Sequence, residues 1–448
     1  MYDELTYDDC RYSRDPLTAC ALEGVASIVA GIADVSLVIH SPQGCAATVA
    51  AAYDRHEIDF TRRKVGCTRL FETDIVMGAS AKLKDMIREA DRVFNTGAMF
   101  VVGTCAADII GEDIDGVCRE MQPQVGARLI PIVAGGFRGN SYEGMDLGFK
   151  ALLPLIKKGG GKIATSVNII APQANSNPTW WADLKWVIKT LNFLGIGIQA
   201  VLPHETSLQE LEKAGQATAN ILLSHDAGYA FALQMQELFG IPLILSDLPL
   251  PVGLKNTARW LRALGSYFGV ERSVEQVIGE GEEAVIGTLR RRALMIIPRY
   301  RNCRIAVSAD ATMGIGLIRM LFEELEMIPT LLLLRSGAFQ SREILGRELD
   351  SLGISPSVVF SADGYQIGRA LQDAGVDAVL GSAWERYIAE STGIKIAFDV
   401  LIPTNKDIYV DRSYFGYEGM LNIMETIAND WEMAFRSKKI AVQKQACQ

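Results

Sequence analysis

Apolar runs alternate with segments of helical periodicity along most of the chain. The run VSLVIH (35–40) is almost uniformly apolar, which is typical of a strand that is covered on both faces. Similar runs, AMFVVGT (98–104) and RLIPIVA (128–134), are separated from it by helical patterns over 72–90 and 106–121. Strands that alternate with helices form parallel sheets, so this first region predicts an α/β domain.

The same pattern occurs twice more after the glycine-rich stretch KKGGGK (157–162). Glycines in series are flexible, so this stretch predicts a boundary. The second region predicts strands over 162–171, 197–202, 219–225 and 241–247, with helices over 180–195 and 255–298. The third predicts strands over 303–310, 328–334, 355–362 and 377–383, with helices over 314–325 and from about 413. We therefore predict an α/β protein with three Rossmann-like parallel-sheet domains, helices on both faces, at 1–160, 161–300 and 301–448.

Composition and charge exclude several classes of protein. The chain has 448 residues, 49% of them hydrophobic and 22% charged, which is ordinary globular composition. The formal net charge of −9 argues against nucleic acid or an anionic membrane as partner, because both require a basic surface. The acidic N-terminus does not have the order of a signal peptide, and no apolar stretch is long enough to span a membrane. We therefore expect a cytoplasmic protein.

Three of the eight cysteines share a structural context. Cys20 lies at the start of a predicted helix, and Cys45 and Cys105 each follow a predicted strand closely. The carboxyl ends of parallel strands lie along one edge of the sheet, where ligands bind. Thiolates at such turns are the ligands that iron–sulfur clusters use. The residues alone leave two interpretations open: ligands that the fold brings together, or three buried core thiols.

The surroundings of Cys45 add weaker signals. Gly44 permits a sharp turn or the close approach of a bulky group, and Pro42 sets the bend. His40 either donates a hydrogen bond to a cluster sulfur or is a satisfied buried polar residue. The sequence DATMGIG (310–316) is interpreted as a glycine-bearing turn. The other cysteines are interpreted as buried thiols (Cys67, Cys118 and Cys303) or as residues near the termini (Cys10 and Cys447).

Four segments carry a family resemblance. DPLTACALEGV, VIHSPQGCAA, VVGTCAADIIGED and YFGYEGMLNI occur in this order. Together they resemble the nitrogenase molybdenum–iron protein superfamily, and within it the β (K-type) subunit, over most of the chain. The resemblance implies an interfacial [8Fe–7S] P-cluster-like centre, with Cys20, Cys45 and Cys105 as the ligands from this chain.

The resemblance also implies partners. A β-type subunit pairs with a homologous α-type (D) subunit, and two such pairs form an α2β2 heterotetramer. A dimeric, ATP-binding [4Fe–4S] reductase delivers electrons to the interfacial cluster. This chain would relay them to a catalytic iron–sulfur cofactor in the α-type subunit. The sequence has no Walker A motif, in line with ATP binding on a partner chain.

Three departures from the resembled β subunits refine the prediction. Gly136, in AGGFRGNSYEG (134–144), stands where those subunits have a serine that binds iron when the cluster is oxidised, and we count Gly136 and Gly44 among the cofactor-binding candidates. Only 19 residues precede Cys20, whereas the molybdenum-type β subunit has a longer arm, and the segment around Cys67 keeps only the general shape of the family motif. These departures favour a nitrogenase-like reductase, such as a methylthio-alkane reductase that cleaves carbon–sulfur bonds of small thioethers.

Three alternatives remain beside that prediction. The first is the β subunit of a dinitrogen-reducing nitrogenase, and the second is a scaffold subunit for cofactor assembly. The third is an α/β small-molecule-binding protein without metal, which the ordered cysteine motifs do not favour.

Overall fold

The structure is a computed structural model that describes residues 6–7, 17–55, 58–172 and 177–446. Cys10, His56 and Cys447 lie outside the described residues. The strands are β1 (Thr6–Tyr7), β2 (Val35–His40), β3 (Val65–Cys67), β4 (Ala98–Gly103), β5 (Arg128–Val133), β6 (Ser166–Ile170), β7 (Gly197–Leu202), β8 (Ala219–Leu222), β9 (Leu243–Ile244), β10 (Arg304–Ala309), β11 (Ile328–Leu334), β12 (Ser357–Phe360), β13 (Ala378–Gly381) and β14 (Ile396–Asp399).

The helices lie between and after these strands. They are α1 (Ala21–Ala30), α2 (Gln43–Arg55), α3 (Glu72–Met77), α4 (Ser80–Phe94), α5 (Cys105–Ile109), α6 (Ile114–Met121), α7 (Ser141–Leu152), α8 (Trp180–Phe193), α9 (Leu208–Lys213), α10 (Tyr229–Phe239), α11 (Leu254–Phe268), α12 (Glu271–Tyr300), α13 (Ala311–Arg319), α14 (Phe339–Leu352), α15 (Gly364–Ala374), α16 (Ala383–Thr392) and α17 (Gly416–Ala446). No helix in the described ranges combines the length and the apolar character needed to cross a membrane.

The strands form three parallel sheets, which confirms the predicted α/β class. The strand orders are β3-β2-β4-β5, β7-β6-β8-β9 and β1-β12-β11-β10-β13-β14. Every strand pairing within these sheets is parallel. Parallel strands need a crossover connection, and helices supply it here, as the alternating pattern of the sequence predicts.

The chain packs as two compact units that interleave along the sequence. One comprises Cys10–Gln173 and Gly197–Ile244 and contains the two four-stranded sheets. The other comprises Met1–Asp9, Ala174–Ile196 and Leu245–Gln448 and contains the six-stranded sheet. The domain boundaries near residues 160 and 300 stay predictions.

The sheet β3-β2-β4-β5 is covered on both faces. All six residues of β2 are buried. Leu37 and Ile39 belong to the core that includes α1 and α7, and Val38 belongs to the core that includes α4 and α6. Because both faces of the strand are buried, the sequence shows an unbroken apolar run instead of alternation.

Helices α1 and α7 approach so closely that only glycine fits at their contact. A Cβ on Gly24 would overlap the carbonyl oxygen of Ser141, and a Cβ on Gly144 would overlap that of Ala21. Backbone hydrogen bonds link the two helix starts, from Ala21 N to Gly139 O at 3.1 Å and from Ser141 N to the segment before α1. The contact fixes the start of α1 against the connection between β5 and α7.

Glycines in left-handed conformations divide helices that the sequence analysis treats as continuous. The predicted helix over 72–90 is α3 and α4, interrupted at Gly78 with φ +89°. The predicted helix over 106–121 is α5 and α6, interrupted near Gly111 with φ +68°. Periodicity extends across such breaks because the apolar spacing continues on both sides.

The predicted glycine turn at DATMGIG is wrong, because α13 begins at Ala311. Asp310 is the N-cap and accepts a 2.8 Å hydrogen bond from Met313 N. The helix runs through both glycines of the motif. The acid after the strand is therefore a capping residue.

In the unit with the six-stranded sheet, a buried carboxylate organises the start of α17. Asp183 Oδ1 accepts hydrogen bonds from Tyr414 N at 2.6 Å and Phe415 N at 3.0 Å, while Oδ2 accepts one from Asn177 Nδ2 at 2.7 Å. Gly416 has φ +77°, and its missing Cβ leaves room for an indole ring. The GYEG motif thus starts a long helix at a tightly packed turn.

Candidate metal centre

The structure places the three predicted cysteines at one edge of the sheet β3-β2-β4-β5. Cys45 lies in the first turn of α2, which follows β2, and Cys105 is the first residue of α5, which follows β4. Strands β2 and β4 are neighbours, with His40 opposite Gly103 at their ends. Cys20 is the N-cap of α1, and the contact of α1 with α7 brings it to the same place.

The three sulfur atoms lie within electrostatic range of one another. Burial raises the pKa of the Cys45 thiol, and the charges of the Cys105 and Cys20 thiolates raise it further. Burial also raises the pKa of Cys20, which Cys105 raises in addition. The backbone N–H groups at the start of α1 oppose that shift. Each of the three cysteines is partly exposed, so a group from outside the described chain can reach them.

Gly136 lies directly against two of these cysteines. Its backbone N–H donates a 2.9 Å hydrogen bond to Cys105 Sγ. A Cβ on Gly136 would lie 3.4 Å from that sulfur and 3.8 Å from the Cβ of Cys20. At the preceding residue, Gly135, a Cβ would lie 2.6 Å from a carboxylate oxygen of Asp108. The two glycines therefore let the backbone approach the sulfur closely enough to donate to it.

Gly44 has a different environment from the one that a turn requires. It lies in the first turn of α2, its φ is not in the left-handed region, and it is exposed. A Cβ at this position would meet no atom within 4 Å. Gly44 therefore does not form the turn, and the space beside it is open to a group from outside the described chain.

His40 is not a satisfied buried polar residue. Its side chain is fully buried, and neither ring nitrogen has a hydrogen-bond partner in the described part of the chain. Nε2 lies 4.0 Å from Glu112 Oε2, and that carboxylate oxygen accepts a hydrogen bond from Ala79 N at 3.1 Å. Burial lowers the pKa of His40, and the Glu112 charge opposes that shift.

The donor set suits an iron–sulfur cluster better than a single ion. In the ranges that the structure describes, no three His, Cys, Asp or Glu side chains lie close enough together to hold one metal ion. An iron–sulfur cluster contains several irons and takes thiolate ligands that are farther apart. The backbone N–H on Cys105 Sγ adds the kind of hydrogen bond that tunes such a cluster.

Two features of this edge were missed by sequence reasoning. One is Cys67, which is partly exposed, so its interpretation as a buried thiol is wrong, whereas Cys118 and Cys303 are buried as predicted. The other is a set of exposed apolar side chains after the strand ends, which we name the apolar rim. It consists of Phe71 (55% exposed), Met77 (84%), Ile109 (70%) and Phe137 (55%). The sequence signal that could have revealed the apolar rim is the occurrence of large apolar residues soon after the ends of strands.

Comparison with known proteins identifies the family. Residues 20–432 match the family described as nitrogenase component 1 type oxidoreductase. The chain is 25% identical to the nitrogenase iron-molybdenum cofactor biosynthesis protein NifE of Methanococcus maripaludis, over 91% of this chain and 82% of that protein. It is also 25% identical to the nitrogenase vanadium-iron protein beta chain of Trichormus variabilis, over 93% of each chain.

The fold has a counterpart among solved structures. A solved structure of nitrogenase Cp1 superimposes with a TM-score of 0.78, over 96% of this chain and 95% of that one, at 18% sequence identity. The chain belongs to the nitrogenase component 1 type oxidoreductase family, which confirms the predicted superfamily. The relatives include a molybdenum-iron alpha chain of Methanococcus maripaludis, 25% identical over 91% of this chain and 85% of that one. The family thus contains subunits with different names and similar sequence identity to this chain.

Proposed function

We propose that this chain is the K-type (β) subunit of an ATP-dependent, cytoplasmic nitrogenase-like reductase and holds half of an interfacial P-cluster-like [8Fe–7S] centre. The observation that carries the proposal is the convergence of Cys20, Cys45 and Cys105 on one sheet edge, with the Gly136 N–H 2.9 Å from Cys105 Sγ. The vanadium-iron beta chain, which matches over 93% of both chains, supports the β assignment.

The residues of the site have distinct roles in this proposal. The three thiolates are the ligands, and the Gly136 N–H stabilises negative charge on Cys105 Sγ. Burial raises the pKa of the Cys20 and Cys45 thiols, and iron binding would replace their protons, because thiolates are the ligand form. When bound, the cluster would supply one-electron storage between the reductase and the catalytic cofactor.

The apolar rim supports a partner at this edge. Its four side chains are more than half exposed and follow strands β3, β4 and β5 of the sheet whose edge holds the cysteines: Phe71, Met77, Ile109 and Phe137. Exposed apolar groups of this kind mark protein–protein contacts. We assign the contact to a homologous α-type (D) subunit in an α2β2 heterotetramer, with a dimeric ATP-binding [4Fe–4S] reductase as electron donor.

For the reaction we propose carbon–sulfur bond reduction of small thioethers, as in a methylthio-alkane reductase. Two electrons and two protons convert a methylthio-alkane into an alkane and methanethiol, with the electrons supplied by the reductase. The support is the absence of a side chain at Gly136, where the resembled nitrogenase β subunits have a serine. The bond cleavage itself takes place at the catalytic cofactor of the α-type subunit.

The test uses the whole complex, expressed with its partner subunit and purified anaerobically. Iron and sulfide are measured first, then reduction of a small thioether, of acetylene and of dinitrogen in the presence of the reductase and ATP. We expect the purified complex to contain iron and to form methanethiol from the thioether. Activity on acetylene and dinitrogen without thioether cleavage would overturn the substrate assignment, and a complex without iron would overturn the proposal as a whole.

A scaffold for cofactor assembly is the second candidate. The observation that favours it is the 25% identity with the NifE biosynthesis protein over 91% of this chain. A scaffold would turn over no substrate in the assay above but would transfer iron and sulfide to an acceptor protein, which the same preparation can measure.

A further inference from the structure

A fourth thiol lies at the same sheet edge as the three predicted ligands. Cys67 is the last residue of β3, which pairs in parallel with β2 so that Cys67 lies opposite Ile39. Cys45 follows β2, so the two cysteines follow neighbouring strands.

The turn at Ser41 and Pro42 lies against both cysteines. Ser41 Oγ lies 3.6 Å from Cys67 Sγ. The carbonyl oxygen of Pro42 accepts a 3.3 Å hydrogen bond from Cys45 N and lies 4.0 Å from Cys67 Sγ. The turn Ser41–Pro42 therefore lies next to both Cys45 and Cys67.

The position of Cys67 relative to this turn is fixed by the backbone. Leu70 N donates to Ser41 O at 2.9 Å, and Ser41 N donates to Thr68 Oγ1 at 3.1 Å. These bonds tie the segment after β3 to the segment after β2. Cys67 is thus held in a defined place beside the ligand edge and is not on a loose loop.

The environment of Cys67 differs from that of the structural thiols. Arg69 N donates to Cys67 Sγ at 3.4 Å, and the hydroxyl and carbonyl oxygens of Ser41 each lie 3.6 Å from the same sulfur, so the neighbours of Cys67 are polar. Cys118 instead belongs to the apolar core beneath α4 and α6, and burial raises its pKa to about 12. Cys67 is partly exposed and is a member of neither described apolar core of this sheet.

We propose that Cys67 is a fourth sulfur ligand of the iron–sulfur centre held by this chain, an inference that rests on the proposed function. Cys67 would hold one iron through its sulfur, with the thiol proton passing to solvent. Gly136 has no side chain that could act as a donor, and Cys67 would add a sulfur donor from β3, the strand next to β2.

The experiment compares variants of the whole anaerobic complex, expressed with the partner subunit and enriched in ⁵⁷Fe. The variants are Cys67→Ala, Cys67→Ser and, as matched control, Cys118→Ala, whose thiol lies in the core of the same sheet. Mössbauer spectra are recorded, and iron is measured after a timed challenge with an iron chelator. We expect Cys67→Ala to alter the spectrum of one iron site and to lose iron at least several-fold faster than the wild type. Cys67→Ser should lose iron more slowly than Cys67→Ala, because serine keeps an oxygen donor.

The outcomes separate this inference from the proposed function. If Cys67→Ala matches Cys118→Ala in spectrum and iron loss while Cys45→Ala is depleted of iron, the fourth ligand is overturned and the three-cysteine site stands. If the wild-type complex contains no iron, both are overturned. An altered spectrum in Cys67→Ala alone supports the fourth ligand, since a merely structural thiol would leave the iron environment unchanged.

Discussion

The backbone N–H of Gly136 and the sulfur of Cys105 form a 2.9 Å hydrogen bond between two connections that follow neighbouring strands. An added Cβ at Gly136 would lie 3.4 Å from that sulfur, at the short end of ordinary contact distances. A small side chain is therefore tolerated at this position, and the hydroxyl of a serine would come within reach of the site.

Gly136→Ser is expected to couple oxidation of the centre to loss of a proton. A serine hydroxyl that binds iron in the oxidised state gives up its proton, so the midpoint potential would fall by about 59 mV per pH unit. Gly136→Ala has the same Cβ without the hydroxyl and should keep the pH dependence of the wild type. Redox titration of both variants between pH 6.5 and 8.5 checks this, and identical slopes would contradict it.

Cys45→Ala should remove the bound iron, whereas Cys303→Ala should not. Cys45 is one of three partly exposed thiols at the sheet edge, and Cys303 is a buried thiol whose pKa is raised to about 12 by burial. Loss of a ligand should weaken iron binding by more than about tenfold, because loss of even a supporting partner of a ligand costs about that much. Iron analysis of the anaerobic complexes measures the difference. Equal iron in both variants would show that Cys45 is not a ligand.

Gly144→Ala should separate α1 from α7 and disturb the site at a distance. The new Cβ would overlap the backbone of α1 at Ala21, next to Cys20, and overpacking of this kind costs about 2–3 kcal/mol. Gly279→Ala is the control, since Gly279 lies in helix α12 with open space around it, and should stabilise by about 0.5–1 kcal/mol. Urea unfolding midpoints and iron content test both effects, and a Gly144→Ala protein with wild-type values would refute the close contact.

Asp183→Asn should weaken the start of α17. Asp183 accepts two backbone N–H groups and a Ser413 hydroxyl on one oxygen and Asn177 on the other, so an amide nitrogen would leave buried donors without an acceptor. The expected loss is about 3 kcal/mol. Asp411→Asn changes an exposed acid paired with Lys185 and should cost less than about 0.5 kcal/mol. Thermal unfolding of the two variants gives the comparison, and equal midpoints would contradict the buried network.

The buried His204 should make folding stability depend on pH below about 6.5. Burial lowers its pKa from 6.5 to about 4, against a 2.7 Å hydrogen bond to Ala171 O. As pH falls from 6.5 toward 4, the unfolded chain binds a proton that the folded protein does not, so stability falls, by at most about 3 kcal/mol.

In His204→Gln that contribution disappears, and the unfolding free energy should fall less steeply with acid. Asp146, whose pKa is raised to about 6 by burial, acts in the opposite direction in both proteins and cancels in the comparison. Chemical unfolding at pH 7, 6 and 5 measures the two slopes, and parallel slopes would rule out a neutral buried His204.

The strands were easier to predict than the breaks between helices. Strands β2, β7 and β11 match the predicted ranges 35–40, 197–202 and 328–334 residue for residue. Burial on both faces leaves an apolar run with clear ends in β2, whereas β7 is an edge strand and only partly buried. The three-residue strand β3 contains only one large apolar residue, Val65, and gives no such run. The interruptions at Gly78 and Gly111 depend on backbone conformation, which apolar spacing does not report.

The site was predictable to the extent that it follows strand ends. Cys45 and Cys105 come from neighbouring parallel strands, so their convergence follows from topology. Cys20 is brought near Cys45 and Cys105 by the glycine contact between α1 and α7. No local sequence pattern predicts that contact. Cys67 was missed because β3 was missed, and with it the strand that places this thiol beside Ser41.

The two-residue strand β1 imposes a timing constraint on the synthesis and folding of the protein. Thr6 pairs with Val359 of β12, so the first strand emerges from the ribosome long before its partner and waits roughly 20–70 s at ordinary synthesis rates. Until β1 is in place, β12 is an open strand edge, the kind of surface on which chains aggregate. Thr6 and Tyr7 thus cover the β12 edge of the finished sheet. A protein trimmed of its first seven residues should therefore aggregate more readily during expression.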